Sequence, residues 1–268
     1  DIFSGQVDPW NPQISNRVNT ISGNGSVLYV GGDFTMVGLY QRGFIASFDL
    51  NTGGLSSWSP SADGPIRTIV VSANEIYVGG DFTFIGNQSR NYIAQLDVIS
   101  ALATSWNPNP NNAVNSILVL GNIVYAGGMF TYIGGSSRNY IAAINSSNGI
   151  ATTWNPNADN HIYCIASDGS KIFVGGLFTM VGGQSRKNIA SLNISSSTAT
   201  TWNPDPISQY FGFSNSKTIT SSINVISLNG SSGYIGGNFL GICGKKLPGT
   251  GNLAALDFNS GQLITSFS

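Results

Sequence analysis

Five tryptophans, Trp10, Trp58, Trp106, Trp154 and Trp202, recur at one constant interval. A period held from the first of them to the last means that the chain is built from copies of one unit, and that constrains its fold more than any other feature. Gly-Gly pairs starting at Gly31, Gly79, Gly127 and Gly175 keep the same spacing. A fifth pair starts only at Gly236, later than the period allows, so the last copy carries an insertion. Each copy reads as an apolar strand, then Tyr-Val-Gly-Gly-x-Phe-Thr, then Ser-Arg-Asn-Tyr-Ile-Ala, a Thr-Gly-like turn, and Trp-Asn-Pro. Tyr77 to Trp106 and Tyr125 to Trp154 are the clearest copies.

Each copy holds four runs with strand chemistry, separated by Gly, Asn and Ser turns. In the third they are Val114–Leu120, Ile123–Gly128, Tyr140–Ile144 and Ile150–Trp154, labelled a to d. The short connections make an antiparallel meander. Four-stranded units of roughly 40–50 residues are the signature of propeller blades, each burying its faces against its neighbours. Val18, Ile66, Val114, Ile162 and Ile223 recur in strand a, as do Ile21, Ile69, Ile117, Ile165 and Ile226. The expected fold is an all-β propeller of five repeats plus one extra terminal strand. It forms one domain over 1–268, with repeats near 13–60, 61–108, 109–156, 157–204 and 205–268, and a terminal strand at 1–12. Strand d occurs six times, so either Gly5–Trp10 or Gln262–Phe267 is spare. A spare strand is an open edge on which another chain can pair.

Glycine weakens a strand interior, so a repeated Gly-Gly pair implies close approach of a neighbouring chain or a large side chain. The periodic Trp or Phe is the expected neighbour, with the tryptophans either packing between blades or serving as aromatic platforms for sugar rings. The Gly-Gly-x-Phe-Thr, Arg-x-x-Ile-Ala and Trp/Phe-Asn-Pro elements resemble those of the delta-60 repeat propellers of bacterial surface proteins. They are also similar to the extracellular propeller region of fungal cortical polarity markers. The resemblance covers nearly the whole chain and implies an exported, surface-associated protein. It supplies no catalytic motif. The last copy departs from it: Cys243 replaces the glycine of Gly38, Gly86, Gly134 and Gly182, and Phe267 lies just past the expected Trp position.

The net charge is -1, which argues against a grip on nucleic acid or a polybasic membrane patch. No apolar run is long enough for a membrane helix. Only 9% of residues are charged, against roughly a quarter in ordinary domains. The surface is therefore neutral and polar, and with the Asp1 start the expected location is extracellular or cell-surface. Asn24, Asn87, Asn145, Asn193 and Asn229 head Asn-x-Ser sequons and are glycosylation candidates in a eukaryotic host.

Antiparallel order puts the b–c and d–a loops at one end of the blades. The insertion, roughly Ile207–Ser222, falls in a d–a loop and carries Tyr210, Phe211 and Phe213. A smaller addition falls in a b–c loop around Lys245–Gly251. Loops on a rigid scaffold are where binding resides. Arg42, Arg90, Arg138 and Arg186 lie in b–c loops at the same spacing, with Lys245 and Lys246 in the fifth copy. Each guanidinium either ties its loop to backbone carbonyls or to Asp49, Asp97, Asn145 or Asp257, or joins a ring for an acidic glycan.

Chemistry is sparse. His161 is the only histidine and Glu75 the only glutamate; Cys164 sits at a small-residue position beside Thr20, Thr68 and Ser116. No triad, zinc set, carboxylate pair or phosphate loop is legible. Asp33 and Asp81 share a position that drifts to Met129, Leu177 and Asn238, as a tolerant surface site would. No enzyme, cofactor or metal is expected. The leading expectation is a binding or adhesion module for a glycan or surface protein, acting through the b–c and d–a face. The alternative is a structural subunit of a filament, sheath or wall layer, self-associating by terminal strand donation.

Overall fold

The computed structural model describes residues 9–206, 220–247 and 252–264, which form β-structure without a helix. The chain divides into two compact units, Asp1–Ser105 and Trp106–Ser268. The first holds blades 1 and 2, the second blades 3 to 5.

In blade 3, strand a (Val114–Leu120) pairs antiparallel with b (Ile123–Gly128), which pairs with c (Ile141–Asn145). The same ladder recurs in every blade. Strand d is shorter than the sequence suggests. It is one bridge from Ala151 to Ile144, with the Thr152 N–H donating to the Ala143 carbonyl at 2.8 Å. The reason lies in the b–c connection, which is itself a hairpin (Tyr132–Ile133 with Ser136–Ser137) folded over the outer side of d. The Gly134 carbonyl accepts the Ala151 N–H at 2.9 Å. On the hairpin's other side lies the incoming connector: Gly134 donates to the Pro108 carbonyl at 2.7 Å and Asn111 to Tyr132 at 3.1 Å. By its contacts, the folding repeat therefore starts at one tryptophan and ends just before the next. The bridge from Leu256 to Leu263 shows the C-terminal segment finishing its own blade. Phe267, and Gly5–Trp10 apart from Pro9 and Trp10, lie outside the described residues.

The Gly-Gly pair answers to two close approaches, neither of them a tryptophan or phenylalanine. A Cβ on the first glycine would collide with the strand-a isoleucine of the next blade: at Gly31 it would lie 2.5 Å from Ile66 Cγ2, and at Gly127 2.5 Å from Ile162 Cγ2. A Cβ on the second would strike its own blade's backbone: at Gly128 it would lie 2.2 Å from the Ala113 carbonyl oxygen. The hole-and-knob pair explains why glycine and isoleucine repeat together.

Trp58 and Trp154 pack between blades as expected, and reach a specific target. Trp58 donates to the Asp97 carbonyl at 3.2 Å and Trp154 to the Asn193 carbonyl at 3.0 Å, each in the next blade's c–d turn. Their rings meet Tyr29 and Tyr125 edge-on, with centroids 5.1 and 5.2 Å apart. Hydroxyls on strand a complete the seam: the Ile69 N–H donates to Thr20 Oγ1 at 3.2 Å and the Ile165 N–H to Ser116 Oγ at 3.0 Å. Cys164 belongs to this series, its Sγ 3.9 Å from the Ile223 carbonyl, and burial pushes its thiol up to about 12. It is a packing thiol. Both cysteines are free.

In blades 2 to 4 one connector residue pins the Phe-Thr segment. Asp159 accepts the Thr179 N–H at 2.8 Å, the Met180 N–H at 3.0 Å and the Thr179 hydroxyl; Asp63 does the same for Thr83 and Phe84. Partial burial raises these carboxyl pKa values, but the hydrogen bonds outweigh it and hold both below the usual carboxylate range. A depressed folded pKa gives stability that is present above the unfolded value and is lost as pH falls through the folded one. Asn111 accepts the corresponding Thr131 and Tyr132 N–H groups and donates its amide to the Thr131 hydroxyl, without titrating. The Asp63→Asn, Asp159→Asn double variant should therefore lose less stability than the parent on acidification. Urea midpoints between about pH 5 and pH 2 would read this.

Candidate functional site

The four arginines are staples. Arg138 donates through Nη1 to the Ser137 carbonyl at 2.8 Å and through Nη2 to the Thr152 carbonyl at 2.6 Å. Arg42, Arg90 and Arg186 repeat this on Ser56, Thr104 and Thr200 of strand d. Each guanidinium clamps its b–c hairpin to d, and each Nε is buried without a partner among the described residues. Asp49, Asp97, Asn145 and Asp257 are occupied elsewhere, because their side chains accept the N–H groups of their own c–d turns. In blade 5, Leu247 takes the arginine position and is buried. Lys245 and Lys246 form an exposed hairpin arm opposite Gly241–Ile242.

Tyr210, Phe211 and Phe213 lie outside the described residues. His161 is half-buried, with Tyr140 and Tyr163 ring centroids at 5.4 and 6.5 Å. Glu75 accepts the Tyr77 hydroxyl at 2.7 Å. Asp33 and Asp81 are paired rather than idle, with Arg17 at 2.7 Å and Arg67 at 2.8 Å. Among the sequons, Asn24, Asn87, Asn193 and Asn229 are exposed, whereas Asn145 is half-buried.

The hairpin fold brings together loops that simple meander topology separates. Its tip meets the connector, as expected, but also the c–d turn of the same blade. Two equivalent grooves result, one repeat apart. In blade 3 a groove of about 380 Å³ runs between Asn107-Pro108-Asn109, the Gly134-Gly135 tip and Asn148–Ile150. In blade 4 one of about 360 Å³ runs between Asn155-Pro156-Asn157, Gly182-Gly183 and Ser197-Thr198. Each has an exposed apolar side chain on its wall, Tyr132 at 44% and Met180 at 51% exposure. No charged residue lines either groove. Asn109 and Asn157 hold left-handed backbone, φ 49° and 51°, a conformation asparagine tolerates. The grooves present amides, hydroxyls and backbone groups beside an apolar surface. That chemistry suits an uncharged polar ligand. The sequence contained the signal, Asn-Pro-Asn at 107 and 155 and Gly-Gly at 134 and 182, but not the hairpin fold that joins them.

The family described as "Domain of unknown function (DUF5122) beta-propeller" matches residues 74–98 and 170–194. Both matched stretches take in strands b and c of a blade, with the hairpin between them. These are β-propeller repeats. The propeller chain is also similar to two solved structures of computationally designed proteins. The Ika8 protein has a TM-score of 0.53 at 12% identity, over 92% of this chain and 60% of that one. The Ika4 protein has a TM-score of 0.45 at 10% identity, over 68% of this chain and 93% of that one. At such identity the Ika8 likeness is one of fold alone, and the propeller chain spans 60% of that protein's length. No curated protein matches the propeller chain.

Proposed function

We propose that the protein is a non-catalytic extracellular or cell-surface binding module that recognises a neutral glycan or a glycan-bearing surface protein. The connector and hairpin surface of its blades carries the recognition. The observation behind this reading is the pair of equivalent uncharged grooves, lined by Asn-Pro-Asn and Gly-Gly and flanked by Tyr132 and Met180. Repetition of a weak groove gives avidity to a ligand that is itself repetitive. The arginines take no part, since each guanidinium is turned toward its own hairpin and strand d and lines neither groove.

The test is a glycan panel spanning neutral and acidic chains. Neutral chains should bind, and the Tyr132→Ala, Met180→Ala double variant should bind at least about tenfold more weakly. Arg138→Ala should lower stability by about 2 kcal/mol, because two carbonyls lose a charged donor. Binding confined to acidic glycans, or undiminished in the Tyr132→Ala, Met180→Ala double variant, would sink the reading.

A second reading, a structural subunit, draws support from the end blades. Ile21 in blade 1 is 65% exposed where Ile69, Ile117, Ile165 and Ile226 are buried, and Leu253 in blade 5 is 55% exposed where Ile45, Ile93, Ile141 and Ile189 are buried. Association of a second copy, blade to blade, would cover such faces. A solution mass several times that of one chain would favour it.

A further inference from the structure

Comparison of neighbouring blades shows a hollow in blade 3. In blade 2 the Gln95 amide bridges strands b and d. It donates to the Tyr77 hydroxyl at 2.9 Å and accepts from Thr104 Oγ1 at 2.6 Å, and Tyr77 in turn donates to Glu75. In blade 4 the equivalent space is filled by an aromatic ring, Phe258, 4.9 Å from Phe173 and 5.4 Å from Trp202. Blade 3 has neither filler. Ala143 stands where Gln95 does, Ile123 where Glu75 does, and Ile194 where Phe258 does. The tyrosine and threonine are nevertheless kept, as Tyr125 and Thr152. What remains between them is a cavity of about 280 Å³, lined by these residues together with Trp154 and the Ser195–Ser197 turn.

The Tyr125 hydroxyl makes no hydrogen bond among the described residues, and Thr152 Oγ1 accepts only the Trp154 N–H at 3.2 Å. Two hydroxyls that elsewhere hold an amide between them therefore face an empty space. No charged side chain lines it, and Ile123, Ile194 and the Trp154 ring supply apolar surface. The volume falls just below the roughly 300–1,000 Å³ of sites for drug-sized ligands, which is room for a single ring.

We propose that this cavity is a second binding site, for one neutral pyranose ring. A vicinal hydroxyl pair of the sugar takes the place of the Gln95 amide between Tyr125 and Thr152, and the apolar face of the ring lies on Ile194 and Trp154. Burial pushes the Tyr125 phenol up from its ordinary value, so the hydroxyl stays protonated and able to donate. The site stands apart from the outer grooves. Its walls share only Ser197 with them.

The experiment is an NMR titration of the whole chain with methyl α-glucopyranoside and methyl α-mannopyranoside, following the tryptophan indole N–H signals. One or both sugars should give a saturable shift of the Trp154 signal. Ala143→Gln rebuilds the blade 2 bridge and should abolish the shift while keeping or raising the melting temperature. Tyr125→Phe keeps the ring and should weaken binding about tenfold. Tyr132→Ala should leave this titration unchanged, which separates the cavity from the outer grooves. No saturable Trp154 shift up to about 100 mM of either sugar, or unchanged affinity in a folded Ala143→Gln variant, would overturn the proposal.

Discussion

Replacing Gly128 with alanine is expected to unfold the protein, whereas Gly135→Asn, at the tip of the following hairpin, should be nearly silent. The Gly128 Cβ would sit 2.2 Å from the Ala113 carbonyl oxygen and 3.0 Å from Val114 Cα. Both are backbone, at the start of a strand whose ladder bonds hold it to strand b, so neither can turn away as a side-chain tip could. Overpacking a core costs about 1–3 kcal/mol where side chains can move. Here the backbone must move, and the loss should exceed ~4 kcal/mol, a large share of the stability of any domain. Gly135 has open space around it and φ 77°, and Asn87 occupies the equivalent turn position at φ 61° in blade 2. Urea denaturation with expression yield would read both. A stable, cooperatively folding Gly128→Ala protein would mean that the strand-a bulge at this point is soft.

Truncation of Trp58 to alanine should cost about 4 kcal/mol. The ring is buried, lies edge-on to Tyr29 at 5.1 Å, and donates to the Asp97 carbonyl. Its loss opens a cavity between blades 1 and 2 and leaves a carbonyl unsatisfied. Trp58→Phe should cost about half as much, since most of the surface stays buried. Chemical denaturation of both variants checks the ratio. Equal losses would place the energy in the indole N–H rather than in the ring.

Much of the fold could be read from the chain because it is written five times. Strands a to c, the turns between them and the inward faces of Ile66 and Ile69 follow from spacing and apolar alternation. The tyrosine-tryptophan contacts did not follow, because Trp58 finds its acceptor far along the chain at Asp97, in a turn that spacing alone does not select. Strand d was over-read. Ile150–Trp154 has strand chemistry, but the hairpin at Tyr132–Ser137 covers its outer side and leaves room for a single bridge. A Gly-Gly or Gly-Asn tip between short runs is a hairpin signal, since both tip residues take positive φ. The pinning residues Asp63, Asn111 and Asp159 recur at the repeat spacing and could have been found the same way.

The candidate site was legible in its address and not in its residues. The connector and b–c loop do meet, but the arginines picked out by their period are turned toward strand d. A rare charge at a fixed repeat position serves equally well to hold each copy together, and sequence cannot separate the two uses. The cavity beside Tyr125 was invisible for the opposite reason. It is defined by a side chain that is missing, and Ala143 attracts notice only when Gln95 is seen spanning the same gap.

The clamp of each hairpin between an incoming tryptophan segment and its own strand d has a consequence for how such chains grow and shrink. The module that closes on itself runs from one tryptophan to the residue before the next, and it carries its own lid. Duplicating or excising a segment in that frame would add or remove a finished part. A cut at the strand boundaries would instead leave one copy uncovered and another with a lid to spare. Changes in blade number during descent are therefore most readily accepted with breakpoints just before the tryptophan codons.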